Sequence, residues 1–225
     1  MRSLTPIEAR VLATLMEKAR TVPDSYPLSL NALVLGCNQK TSRDPVMDIS
    51  DDDTRTALDS LKAMSLVFEA SSSRVPRFEH NFMRVSGTTE PQAVLLGLLM
   101  LRGPQTPAEL RTAGERWYKF TDSAAVDAVL QTLAQRGDDG GPTTVLKLPR
   151  ASGAREQRWV HLLCGEVDVD ALTSNAPTAA EADGLLARVT TLENALVLLK
   201  ADNAALRAHL RAVSDQLGIT LPESF

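Results

Sequence analysis

The chain has 225 residues, of which 44% are hydrophobic and 4% aromatic, so it is long enough for one large domain or for two small ones, each with its own core, and two small ones fit the pattern better. Its net charge of −4 provides no overall positive field, and any affinity for nucleic acid must come from local patches. Cys37 and Cys164 lie far apart without partners at metal-ligand spacing, which excludes a disulfide framework and suits a reducing compartment.

The first predicted helix begins in LTPIEARVLATLMEKAR, where Thr5 can cap the helix and Pro6 suits its first turn. Ser29 caps a short second helix, and Ser50 caps a third. Two alternating runs, LVFEAS and RFEHNFMRV, then predict a β-hairpin. Three helices and a hairpin form the plan of a winged helix-turn-helix domain, which we assign to residues 1–88 and call the first module.

The same order recurs in residues 89–164, which we call the second module. The segment PQAVLLGLLMLRG predicts an apolar helix, Thr106 caps a short second helix, and Ser123 caps a third. A second hairpin follows in VLKLPRASGAREQRWVHLL, whose small, glycine-containing tip favours a turn. The two modules share this plan without strong residue identity.

The last part of the chain predicts a linker, residues 165–181, and then a coiled-coil helix, residues 182–217. Apolar residues alternate at steps of four and three, and a single asparagine at an a position favours two parallel strands. We therefore expect a homodimer. Pairing with another protein is one alternative, and docking on the chain itself is another, although a docking face is usually wider. The residues of this predicted seam are Leu185, Val189, Leu192, Leu196, Leu199, Asn203, Leu206, Leu210, Val213 and Leu217.

Four stretches carry a family resemblance: LTPIEARVLATLMEK, YPLSLNALVLGCNQKTSRDPVMDIS, GLLMLRGPQTPAELR and REQRWVHLL. They are similar to the YceH family of bacterial proteins, most specifically in NQKTSRDPV. The resemblance covers residues 4–164 and leaves out the tail. It implies tandem winged-helix domains and no particular activity, since the family has no assigned one. The predicted fold class is mainly α with small β-hairpins (α+β), with tandem winged helix-turn-helix domains followed by a C-terminal coiled-coil helix.

Catalytic chemistry finds little support in the residues. His161 and Cys164 are three apart on a predicted strand, so they point to opposite faces and cannot act as a nucleophile and base pair. The sequence has no glycine-rich phosphate loop and no metal-ligand motif, and its longest apolar run, AVLLGLLML, is too short to span a bilayer. We therefore predict a cytoplasmic, non-enzymatic protein with no cofactor, no metal site and no membrane partner.

Nucleic-acid binding is predicted to use the hairpins rather than the helices. The third helix of the first module begins with the acidic run Asp51–Asp53, which would repel phosphate at the end that usually enters the groove. The corresponding helix of the second module is nearly neutral. Wing tips that carry arginines can instead enter a minor groove or grip phosphates. The candidate contacts are Lys40, Arg43, Arg74, Arg77, Lys147, Arg150, Arg155 and Arg158.

Each of the hairpin arginines has a plainer interpretation as a solvated cross-strand partner of Glu69, Glu79 or Glu156. NQKTSRDPV is itself predicted to be an ordered structural loop with Lys40 and Arg43 at its exposed crest. We favour a dimeric protein that associates with double-stranded DNA through its wings, in regulation or chromosome-related work. The alternative is an adaptor whose winged-helix domains bind other proteins.

Overall fold

The computed structural model of this chain describes residues 2–70, 75–136, 143–151, 154–169, 196, 199–208, 210–212, 214 and 216. The chain divides into two compact units, Met1–Ser174 and Asn175–Phe225, which we call the body and the tail. Both modules lie in the body. In the tail, residues 199–208 are helical, and most of the predicted coiled coil lies outside the described residues.

The first module combines four α-helices with a three-stranded sheet among its described residues. Its elements are α1 (Pro6–Thr21), a short 3-10 helix (Pro23–Ser25), β1 (Leu28–Ser29), α2 (Leu30–Cys37), α3 (Asp51–Ala63), β2 (Val67–Ala70), β3 (Arg77–His80) and α4 (Phe82–Ser86). Thr5 caps α1 as predicted, because its side chain accepts from the amide of Glu8 at 3.2 Å and its own amide donates to the Glu8 carboxylate at 2.8 Å. Ser29 and Ser50 cap α2 and α3, which confirms those predictions.

The second module repeats the order of helices followed by a hairpin. Its elements are α5 (Glu90–Arg102), α6 (Pro107–Gly114), α7 (Ser123–Gln135), β4 (Val145–Lys147) and β5 (Trp159–His161). Thr106 caps α6 as predicted, and with Glu109 it forms a capping box. The predicted cap of α7 at Ser123 is wrong by one residue. Asp122 is the cap, because its extended backbone lets the carboxylate accept from the amide of Ala125 at 2.8 Å.

Both hairpins are antiparallel. In the first module, β3 lies between the other two strands, so that Phe78 pairs with Leu28 on one side and with Glu69 on the other. In the second module, β4 pairs with β5, and an isolated bridge between Gln105 and Trp159 takes the place that β1 has in the first module. The two sheets therefore have the same layout.

The sequence predicts a strand through all of RFEHNFMRV, and this expectation is wrong. The strand β3 ends at His80, and α4 follows it. Phe82 becomes fully buried at the start of α4, and Gly87, with a φ of +60°, ends the helix in the left-handed conformation. One strand and one helical turn fit within these nine residues. Elements this short do not show the change of hydrophobic period from a strand to a helix.

The core runs without interruption through both modules. Helices α1 and α5 contact each other, with Leu12 and Leu96 among the fully buried residues of one hydrophobic cluster. A hydrogen bond of 2.8 Å joins the amide of Leu4 to the carbonyl of Leu163 across the body. The expectation of a separate core for each module is therefore wrong, while the boundary at residue 88 stays a prediction.

The fold class is confirmed at the level of architecture: the body is α+β, mainly helical, with small antiparallel hairpins in a winged-helix-like arrangement. Among the helices of the described residues, none has the length and apolar character that crossing a membrane requires.

Candidate nucleic-acid interface

The second hairpin carries two exposed arginines without an ion pair among the described residues, and a third, Arg158, that is exposed but paired with Glu109. Arg150 and Arg155 lie in the segment that joins β4 to β5, and within the described residues neither one makes an ion pair. The base of this segment is fixed, because the amide of Leu148 donates to the carbonyl of Arg158 at 2.8 Å and the Gln157 side chain donates to the carbonyl of Leu148 at 3.0 Å. The two exposed guanidinium groups are thus carried by an ordered stem.

Beside this hairpin, one carboxylate on α7 collects three donors. Asp127 accepts from the indole of Trp159 at 2.9 Å and from the amide of Gln131 at 2.7 Å, and its Oδ1 lies 3.3 Å from the ammonium of Lys147. Burial raises the pKa of Asp127, but these hydrogen bonds outweigh burial and leave the pKa below its usual range. Asp127 is the one acidic residue within α7, and it is compensated, while the cap, Asp122, adds one exposed carboxylate before the first turn.

Two of the predicted wing arginines hold the sheets together in the same way. Arg77 donates to the carbonyl of Pro27 at 2.8 Å, and Arg158 donates to the carbonyl of Pro104 at 2.7 Å. Arg158 also donates to Glu109 at 2.8 Å. Both side chains therefore have bonds within the protein, and Lys147 has one too. The sequence held a sign of this equivalence, because RFEH and RWVH each come after the proline whose carbonyl their arginine contacts. The two segments lie 81 positions apart, however, so the likeness is not local.

Arg43 was expected at an exposed crest, and this prediction is wrong. Its side chain is 0% exposed and donates to Glu17 at 2.6 Å and to the carbonyl of Gly36 at 2.8 Å. Because the last carbonyls of a helix lack partners within it, the guanidinium satisfies α2 at its C-terminal end. Arg10, also buried, donates to the carbonyls of Cys37 and Pro45. NQKTSRDPV is therefore an ordered structural loop, as predicted.

The exposed part of this loop includes Lys40, which makes no ion pair within the described residues. The loop also connects the modules, because the amide of Asp44 donates to the carbonyl of Leu101 at 2.8 Å and Arg102 donates to the Ser42 hydroxyl at 2.6 Å. Lys40 therefore stands on a rigid segment, on the part of the first module that touches the second.

The helix α3 presents negative charge, as its sequence predicts. The aspartates at positions 51–53 are exposed in its first turn, and Ser50 caps it. Further along, Lys62 lies 2.9 Å from Asp59 and 3.4 Å from Glu69, so its charge is compensated. Arg74, in the tip of the first hairpin, lies outside the described residues.

The histidines and cysteines do not assemble a site. His161 ends β5, while Cys164 lies in the turn after it, so the expectation that both occupy one strand is wrong. Burial lowers the pKa of His161 to about 4, and burial with the nearby charge of Arg20 lowers that of His80 to about 4. No group of three metal-ligating side chains exists among the residues that the structure describes.

In the tail, part of the predicted seam is exposed. Leu199 and Leu206 are 65% and 61% exposed on the helix of residues 199–208, and Asn203 is exposed between them. Leu196 and Leu210 are also exposed. The remaining seam residues, Leu185, Val189, Leu192, Val213 and Leu217, lie outside the described residues.

A family model described as "Protein of unknown function, DUF480" matches residues 4–154. The chain belongs to this family. A "UPF0502 protein" of Polaromonas sp. is 75% identical over 224 residues, which is 100% of this chain and 95% of that protein. A "UPF0502 protein" of Verminephrobacter eiseniae is 57% identical over 220 residues, or 96% of this chain and 88% of that protein. The resemblance to the YceH family is thereby confirmed.

The alignments also correct the predicted extent of this resemblance. The family model stops at residue 154, but a third relative, from Burkholderia multivorans, is 52% identical over 219 residues, or 97% of this chain and 91% of that protein. The first relative aligns over the full chain, so the tail is shared with it.

Proposed function

We propose that this protein is a non-enzymatic, dimeric protein that binds the phosphates of double-stranded DNA through the hairpin of its second module. The observation that carries the proposal is the exposure of Arg150 and Arg155, without ion pairs within the described residues, on the hairpin whose strand β4 packs against α7. The acidic residue within α7, Asp127, is compensated, and its cap, Asp122, is the one exposed carboxylate of this helix. The first module is less suited to this role, because α3 turns three aspartates toward solvent at the end that usually enters a groove.

Phosphate binding by a wing is largely independent of base sequence. Arginines that contact the sugar-phosphate backbone fix position and orientation but carry little sequence information. The outward residues of α7 are mostly alanines and glutamines, and Gln131 is already engaged with Asp127, which leaves this helix few means to read base edges. We therefore expect affinity for duplexes of any sequence, with a strong dependence on salt.

Two exposed arginines without ion pairs in the described part of the chain, Arg150 and Arg155, give weak binding to duplex, which a dimer would strengthen. The exposed leucines and Asn203 in the tail support a parallel coiled coil with a second copy, because an asparagine at an a position pairs across the axis when the chains are in register. Two linked wings then bind one duplex with a raised effective concentration.

The dimer is tested by replacing Leu199 and Leu206 together with glutamine. We expect sedimentation to show a dimer for the wild type at micromolar concentration and a monomer for the variant. A monomeric wild type would contradict the dimer but not the contact made by the wing.

The wing is tested by measuring duplex affinity against salt for Arg150→Ala/Arg155→Ala. Each phosphate contact contributes about 0.9 to the salt slope, so this variant should lose nearly two units and bind more weakly. A matched control is Arg55→Ala/Arg84→Ala, which removes the same charge from exposed positions of the first module.

Equal losses in the two variants would show a general charge effect and contradict the contact at the second hairpin. If the wild type fails to bind duplex even at low salt, DNA binding is wrong and the adaptor alternative takes its place.

A further inference from the structure

Lys147 is a cation of the second hairpin that already has an anionic partner. Its ammonium lies 3.3 Å from Asp127 Oδ1 and 5.1 Å from the centroid of the Trp159 ring, and 36% of its side chain is exposed. The carboxylate is held in turn by the indole of Trp159 and by Gln131. One carboxylate therefore joins α7 to both strands of the hairpin.

We infer that Asp127 is a positioning residue that limits how tightly the second module holds duplex phosphate, because it keeps Lys147 engaged within the protein. This inference rests on the proposed function, since it concerns the same hairpin. A lysine that stays paired with a carboxylate does not replace a counterion on DNA, and separating the pair costs Coulomb energy. Arg150 and Arg155 make no such ion pair within the described residues. The pairing with Asp127 is therefore what makes Lys147 less available to phosphate than these two arginines.

The substitution Asp127→Asn separates charge from geometry. The amide oxygen can still accept the hydrogen bond from the Trp159 indole, which matters because Trp159 is 2% exposed and a buried donor without an acceptor is destabilising. The Coulomb attraction between Lys147 and the carboxylate is lost with the charge, while the Trp159 ring remains beside the ammonium. Gln131, which donates to the other carboxylate oxygen, has to turn its amide so that it accepts from the new NH2 group. An alanine at this position would instead mix a folding effect with a binding effect.

The experiment measures duplex affinity against salt for four full-length proteins: wild type, D127N, K147A and D127N/K147A. We expect D127N to bind duplex more tightly than the wild type. Its plot of log affinity against log salt concentration should be steeper by about 0.9, so that it loses about threefold more affinity between about 50 and about 200 mM salt. K147A alone should change little, because the wild-type lysine is engaged. The double variant should lose the gain.

Glu115→Gln is the matched control. Glu115 is exposed between α6 and α7, and its substitution removes the same charge from a carboxylate that is not paired with a lysine within the described residues. The indole N–H signal of Trp159 in D127N reports whether its hydrogen bond persists, and thermal unfolding reports whether the variants fold. Equal gains for E115Q and D127N would overturn the inference, and so would a gain that survives in D127N/K147A.

The two proposals fail in different ways. If the wild type binds duplex and D127N does not exceed it, the inference about Asp127 is wrong and the proposed function stands. If none of the four proteins binds at low salt, the proposed function is wrong and the inference falls with it.

Discussion

Arg77 in the first module and Arg158 in the second each donate to the carbonyl of a proline, Pro27 and Pro104. Each precedes an aromatic residue that contacts a helix of its own module: the ring centroid of Phe78 lies 5.9 Å from the ammonium of Lys62 in α3, and Trp159 donates to Asp127 in α7. The surroundings of the two hairpins differ in charge. The helix α3 begins with three exposed aspartates, whereas α7 has one exposed acidic cap, Asp122, and one internal aspartate, Asp127, which is compensated. The same backbone layout therefore carries two different surfaces, and the layout alone does not determine what a module binds.

The two modules also use arginine differently. In the first, Arg43 is buried and joins a loop to α1 and α2. In the second, Arg150 and Arg155 are exposed on the hairpin. A count of cations along the chain treats these three arginines alike. Burial separates Arg43, which stabilises the fold, from Arg150 and Arg155, which can contact a ligand.

The largest expected effect tests this division. Arg43→Ala should lower the free energy of unfolding by about 3 kcal/mol, because the carbonyl of Gly36 loses a buried donor and Glu17 loses the closer of its two cations. The ammonium of Lys18, 3.1 Å from Glu17, remains as its partner and limits the loss. Arg150→Ala, the exposed control, should change it by less than about 0.5 kcal/mol. Urea unfolding at neutral pH measures both.

A double variant sharpens the same test. Glu17→Gln/Arg43→Met removes both charges, so it should be less destabilising than Arg43→Ala alone if the weaker compensation of the Glu17 carboxylate is the cause. Similar losses for Arg43→Ala and Arg150→Ala would show that the buried pair contributes little and would break the comparison between the modules.

Local patterns predicted the helices of this protein well. The boxes at Thr5 and Thr106 were visible because a cap and its partner are three residues apart. The burial of Arg43 was not visible, because its partner Glu17 lies 26 positions away and the contact exists only once α1 and the loop are packed together. A charged residue in a polar loop gives no local sign of such a contact.

For the candidate site, the position of the cations was predictable from the sequence, and their partners were not. The sequence placed cations on the second hairpin, and the structure leaves Arg150 and Arg155 exposed there. It did not indicate that Lys147 and Arg158 are bonded to α7 and α6, since those contacts span 20 and 49 positions. Which of several cations is available depends on tertiary neighbours, and one sequence does not contain that information in local form.

The final prediction uses a further equivalence between the modules, the histidines that end RFEH and RWVH. His80 and His161 each have a pKa of about 4, below the ordinary 6.5, chiefly because burial disfavours the charged ring. Between these values the unfolded chain binds protons that the folded chain does not. Stability is therefore full above about pH 6.5 and falls as the pH is lowered toward about 4, by up to about 3 kcal/mol for each histidine.

His80→Asn and His161→Asn should each flatten this dependence, because asparagine does not titrate. Urea unfolding of each variant at about pH 7 and about pH 5 gives the loss across this range, and the loss should shrink by a similar amount in both variants if the modules are equivalent here. Comparing each variant with itself removes the constant cost of the substitution. A loss that shrinks in one variant alone would show that the two histidines, despite their matching places at the ends of β3 and β5, have different surroundings in solution.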